Sequence, residues 1–216
     1  FRFVIAPDDT PYACTCPSCT AIGNTEKNAT PAVTELILRL SQRFPRHFFF
    51  TTSYLTTQQV TDKQLPPNAG VIVSAINFPL RRIDGKDAKE KAFAGQLEQW
   101  KNVTKNIYIW DYINNFDDYL TPMPILKIAR QRLQFFKQHG ASGIFFNGSG
   151  YSYSSFDEMR TFVLSALLIN PELSVDNLTA SFFNQEYPAA KKWLYDYYTD
   201  LENGTQSGKR LGIYAG

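Results

Sequence analysis

A chain of 216 residues is long enough to bury a real core, as one large domain or two small ones. Its net charge of +2, without a dense Lys/Arg patch, argues against a nucleic-acid partner, and no apolar run is long enough to span a bilayer. An aromatic share of 15%, including 17 Phe and 12 Tyr, exceeds what packing alone usually recruits, so rings lining a site for sugars or other flat ligands are expected.

The chain enters directly on a strand-like run, Phe1–Ala6, with neither an initiator Met nor a leader pattern. It is therefore read as a piece of a longer precursor that carries further domains upstream. Four more apolar, β-branched or aromatic runs follow: His47–Tyr54, Gly70–Asn77, Asn106–Tyr112 and Ser142–Asn147. Amphipathic segments alternate with them at Pro31–Phe44, Ala88–Val103, Pro124–His139 and Phe156–Ile169. Thr30 is placed to cap the first of these helices, with Pro31 in its opening turn, and Gly140 is placed to stop the third.

Alternation of strand and helix predicts parallel strands joined by right-handed crossovers. The strands are apolar at nearly every position, as expected when both faces are covered. No Gly-rich phosphate loop follows any of them, which argues against a dinucleotide-binding sheet. The expected fold is α/β, the C-terminal part of a (β/α)8 TIM-like barrel with about five βα units. Beyond Ile169 the pattern is helical only, with Ser174–Glu186 opening on the cap-like "SVDN" and Ala189–Glu202 following Pro188. The whole of 1–216 is read as one domain, βα units over 1–170 and a helical extension over 171–216, ending in an extended "GKRLGIYAG".

In parallel α/β folds ligands bind beyond the C-terminal ends of the strands. The residues expected there are Asp8 and Asp9, then Ser53 and Tyr54, then Asn77, then Trp110, Asp111 and Tyr112, then Asn147. Carboxylates, amides and rings together suit a pyranose, whose C–H faces stack on aromatic rings while its hydroxyls take hydrogen bonds. Glycoside hydrolysis needs two carboxyl groups flanking the scissile bond, and Asp8, Asp9 and Asp111 are the candidates. Asp8 and Asp9 would alternate in direction if the strand continued through them, so at most one would face the mouth. The plainer reading has Asp9 capping the next loop and Asp111 bonding backbone. Asp117 and Asp118 read as solvated loop residues.

The three cysteines all fall in "CTCPSC": Cys14, Cys16 and Cys19. Three readings stand side by side. The thiolates hold a structural zinc with a fourth ligand such as His47 or a carboxylate, two of them form a disulfide, or all stay free. A thioredoxin-like role is disfavoured, because no helix is expected to follow the C-x-x-C directly and the extra cysteine departs from that pattern. On each reading the cluster shapes a loop, and no other cofactor is expected. His139, before the helix stop, is expected to favour the helix C-terminus electrostatically. No Ser-His-Asp spacing and no G-x-S-x-G is present.

Several motifs in order, "APDD…CTCPSC", "IYIWDYINNFDDYLTPMP", "FFKQHGASGIFF" and "MRTFVLSALLINPELSVDNLTASFFNQEY", resemble one bacterial family over nearly the whole chain. It is a domain-of-unknown-function family of secreted or surface proteins from polysaccharide-degrading bacteria, related to β/α-barrel glycoside hydrolases of the α-glucuronidase and hexosaminidase kind. The resemblance implies a barrel whose first strands lie upstream of residue 1. It also implies a carbohydrate partner and a secreted, periplasmic or cell-surface location. The chain departs from the family where an acidic residue is expected in the last strand, which here reads "GIFFNG" with Phe146 and Asn147. "LLINPE" likewise replaces a Trp-containing version. A hydrolase-like domain and a non-catalytic carbohydrate-binding or scaffold module are the two functions to separate. A zinc-dependent hydrolase built on the cysteines is the weakest of the three readings, since three thiolates are more often structural than catalytic.

Overall fold

A computed structural model describes residues 1–148 and 154–205, so the "GKRLGIYAG" tail lies outside the described residues. The fold is α/β. Five strands, β1 (Arg2–Ile5), β2 (Phe48–Ser53), β3 (Ala69–Ser74), β4 (Ile107–Tyr112) and β5 (Gly143–Asn147), form one sheet whose spatial order equals their chain order. The pairings of β1 through β4 are parallel. Ser142 N–H donates to Ile107 O and Ile113 N–H to Asn147 O, so β5 runs the same way beside β4. Sequential parallel order is what βα units laid side by side produce, as in a stretch of β/α-barrel wall.

Seven α-helices lie among the described residues: α1 (Pro17–Ile22), α2 (Thr30–Arg43), α3 (Ala88–Lys101), α4 (Leu126–Gln138), α5 (Asp157–Ile169), α6 (Val175–Glu186) and α7 (Lys191–Thr205). The six predicted from periodicity are all present within a few residues at each end. α1 was not expected. Cys16 occupies its N-cap and Pro17 its first turn, so a helix begins within the C-x-x-C itself and the expected lack of a helix there is corrected. The cap of α2 also differs from expectation. Thr30 is already helical, and Asn28 Oδ1 instead accepts its N–H at 3.0 Å. Ser174 caps α6 as expected, its hydroxyl accepting from Asn177 N–H at 3.3 Å, and Gly140 stops α4 at φ 86°.

The chain forms two compact units. The first comprises Phe1–Asn77, Ala92–Asp111 and His139–Phe145. Register divides its sheet into two unlike faces. One carries Phe49, Thr51 and Ser53, then Ala69, Val71 and Val73, then Ile107, Ile109 and Asp111, all of them buried. Ile37 of α2 packs on Phe49 and Ala69 there, with Ile5, Val33, Leu40 and Leu65 around them. Ser53 ties the same face to α3. Its hydroxyl accepts from Gln96 Nε2 at 3.0 Å and Trp100 Nε1 at 3.3 Å, and donates to Gln58 O at 3.1 Å. Ser53, a strand-end candidate by sequence, is thus a buried hydrogen-bond hub.

The second unit comprises Phe78–Lys91, Tyr112–Gln138 and the chain from Phe146 onward. Its core draws on Phe78, Ile125, Ile128, Phe136, Val163, Leu167 and Phe183. Arg132 and Glu202 are two of the ionisable side chains buried in it. Arg132 lies 4.6 Å from the Phe78 ring and donates to Pro79 O at 2.8 Å. Glu202 of α7 accepts the N–H of Leu126 at 2.7 Å and of Lys127 at 3.2 Å, together with the Tyr198 hydroxyl at 3.1 Å. A carboxylate distant in sequence therefore satisfies donors that the first turn of α4 leaves open.

Candidate functional site

The other face of the first unit's sheet is only partly covered. Strand parity places Phe50, Thr52, Ile72, Ser74, Tyr108 and Trp110 on it, and all but Phe50 retain some exposure. Two glycines make room for its rings. A Cβ on Gly143 would stand 2.6 Å from the Tyr108 ring, and one on Gly70 would stand 2.7 Å from Phe50. Phe50 and Tyr108 then meet edge to face, 5.2 Å apart. Nearer the C-terminal ends of the strands Trp110 meets Phe145 in the same way at 5.0 Å, and Phe145 is 53% exposed. The Trp110 Nε1–H is buried and has no hydrogen-bond partner among the described residues.

Parity separates residues that look contiguous in "IYIWDY". Asp111 has the parity of Ile107 and Ile109, so its carboxyl lies on the helix-covered face, fully buried and engaged within the protein. Trp110 points the opposite way. Of the first unit's other candidates, Asp8 and Asp9 lie beyond the end of β1 and are both exposed, so the expected strand alternation does not reach them. Tyr54 follows β2 half-buried and leads into a short turn of 3-10 helix, Leu55–Thr57. Asn77 is exposed in a turn, because the ladder ends where Ala75 N–H donates to Trp110 O. In the second unit Tyr112 meets the Phe116 ring edge-on at 6.0 Å, and Asn147 ends β5 half-buried. Asp118 accepts from the N–H groups of Leu120 and Thr121 at 3.1 Å and from the Thr121 hydroxyl. The Thr121 hydroxyl and N–H hold its pKa below the ordinary aspartate value. Asp117 and Asp118 are exposed loop residues as expected.

Sequence reasoning did not pick out Tyr108 or Phe145 for the ring-lined face. The signal was present in strict two-residue alternation. Once Ile107 and Ile109 are assigned to the core, Tyr108 and Trp110 must share the other side.

Apart from that face, the sulfurs of Cys14, Cys16 and Cys19 all lie within 4.8 Å of one another, and all three are free thiols. The N–H of Cys19 and the neighbouring thiols hold the Cys16 thiol below its ordinary value. Hydrogen bonding with Cys16 and Cys14 pushes Cys19 up to about 11. His47 does not join them. It stands at the start of β2 with its ring 5.6 Å from Phe1, whereas the cysteines follow the far end of β1. His139 lies 3.2 Å from a Glu98 carboxylate oxygen, an ion pair whenever the imidazole is protonated.

The family model described as "Domain of unknown function (DUF4838)" matches residues 2–200. The chain belongs to this family. No curated protein and no solved structure matches the DUF4838 chain. Family membership accordingly leaves the chemistry to be argued from the faces and clusters of the chain itself.

Proposed function

We propose that this DUF4838 domain is a carbohydrate-binding module built on the C-terminal part of a β/α barrel. The observation that carries the reading is the Trp110–Phe145 ring pair on the partly covered sheet face, with Phe145 open to solvent. A pyranose stacks its C–H face on such rings. Thr52 and Ser74 add neutral hydroxyls on the same face. Tyr54 and Asn77, in the same unit as the ring pair, remain secondary candidates for sugar contacts. Further strands of the barrel would pair with β1, an apolar edge on which Phe3 and Val4 are exposed. Kinship with α-glucuronidase- and hexosaminidase-like barrels, and a secreted, periplasmic or surface location in a polysaccharide-utilisation system, complete the proposal.

Binding is favoured over hydrolysis because Asp111, the carboxyl nearest the rings in sequence, is sealed on the other face. The hydrolytic alternative rests on Asp8 and Asp9, which are exposed beyond β1. Glycan-array screening followed by calorimetry tests the proposal. The wild-type domain is expected to bind an oligosaccharide without releasing reducing sugar. Trp110→Ala should weaken binding at least about tenfold, a loss of roughly 1.4 kcal/mol. Trp110→Phe, which keeps a smaller ring on the same face, should fall between. Unaltered affinity in Trp110→Ala refutes the assignment. Sugar release that is lost in Asp9→Asn would establish the hydrolytic reading instead.

A further inference from the structure

The thiol cluster lies on a framework that does not depend on it. Ala13 N–H donates to Glu26 O at 2.8 Å, closing the base of the loop. Asn24 is buried within that loop and acts as a clamp. Its Nδ2 donates to Cys14 O at 3.2 Å, its Oδ1 accepts the Ala32 N–H of α2 at 3.0 Å, and its own N–H donates to Cys19 O at 3.0 Å. Cys14 and Cys19 are thereby tied to α2 through one residue. Cys16 sits between them in extended conformation at the N-cap of α1, and Gly23 (φ 113°) turns the chain away after one and a half turns of helix.

The donor set is soft throughout. No imidazole or carboxylate belongs to the group among the described residues, and Cys14 and Cys16 are exposed. A disulfide between any two of these sulfurs would need an oxidant and leave the third without a role. A metal ion engages all three. Tetrahedral zinc with Zn–S bonds of about 2.3 Å sets its sulfurs roughly 3.8 Å apart, so the present separations close by small side-chain rotations. Three thiolates and one Zn2+ leave a single negative charge, exposed to water. Zinc sites with three protein ligands keep the fourth position for water or an incoming ligand.

We propose that Cys14, Cys16 and Cys19 form a three-thiolate zinc site whose fourth coordination position is open to solvent. Binding releases the three thiol protons and forms three Zn–S bonds with no change of oxidation state.

The test uses the reduced full chain, titrated with Zn2+ against a chromophoric chelator, and with Co2+ as the spectroscopic probe. One equivalent of zinc, proton release on binding, and a thiolate-to-cobalt charge-transfer band are expected. Cys14→Ser, Cys16→Ser and Cys19→Ser should each lower zinc affinity by more than the roughly 10–100-fold that outer-shell changes cost. The thermal midpoint of the metal-free protein should stay put, because the loop is held by Asn24. Added imidazole should shift the cobalt d–d bands. A reduced protein that binds no zinc, or binds it equally well without Cys16, overturns the site. Cobalt bands indifferent to imidazole overturn its open position.

Discussion

Gly70→Ala puts the construction of the ring-lined face to a quantitative test. The added methyl would stand 2.3 Å from the backbone oxygen of Asn106, 2.6 Å from its Cβ and 2.7 Å from Phe50 Cε1. Carbon–oxygen contact distance is about 3.3 Å, so the overlap approaches an ångström and falls on backbone, which cannot swing aside. The same Asn106 oxygen accepts the Val71 N–H at 3.0 Å, and Asn106 Nδ2 donates to Ala69 O at 2.9 Å. Relieving the clash therefore parts β3 from β4 at their first rung. Overpacking costs about 1–3 kcal/mol and a disrupted hydrogen bond about 1 more, for a total of roughly 2–4 kcal/mol. Gly95 supplies the control. It is exposed in the middle of α3 with nothing within 4 Å of an added Cβ, so Gly95→Ala should stabilise by about 0.5–1 kcal/mol through helix propensity. Urea denaturation followed by tryptophan fluorescence reads both. With a slope near 2 kcal/mol/M, the midpoint should fall by roughly 1–2 M in the first variant and rise by a few tenths in the second. A Gly70→Ala midpoint equal to wild type, or equal shifts in the two variants, would refute the strand packing described here.

Glu202→Gln probes the cross-chain cap of α4. Burial pushes the Glu202 carboxyl above the ordinary glutamate range against the hydrogen bonds it accepts, so the folded state keeps this proton to higher pH than the unfolded chain does. Its contribution to stability is complete below the unfolded glutamate pKa and declines as pH rises through the folded value. The stability difference between wild type and Glu202→Gln should accordingly move in favour of the variant across that interval, read from urea midpoints at a series of pH values. A constant difference would mean that the carboxyl titrates alike in both states. Ser174→Ala removes the hydroxyl that accepts Asn177 N–H and should cost about 0.5–1 kcal/mol, with Ser174→Asp restoring most of it. Equal stability of all three proteins would exclude a capping role.

Local pattern was enough to place five strands and six helices, because each buries a contiguous apolar face set by its own periodicity. The stop at Gly140 and the cap at Ser174 were equally legible, since a left-handed turn and a helix start depend on residues next to each other. Direction was harder. "WDY" reads as three adjacent site residues, yet pairing with β3 turns Asp111 to the helices and Trp110 to the opposite face, and register is decided between strands rather than within one. α1 escaped notice because six residues carry too short a period to detect, and its position follows from the Asn24 clamp and Gly23. The convergence of three sulfurs was suggested by spacing in the sequence, but only the folded loop brings them within one ion's reach. Which carboxyl is buried, which ring is open and which thiols meet all depend on contacts between segments distant along the chain, and those exist only in the tertiary structure.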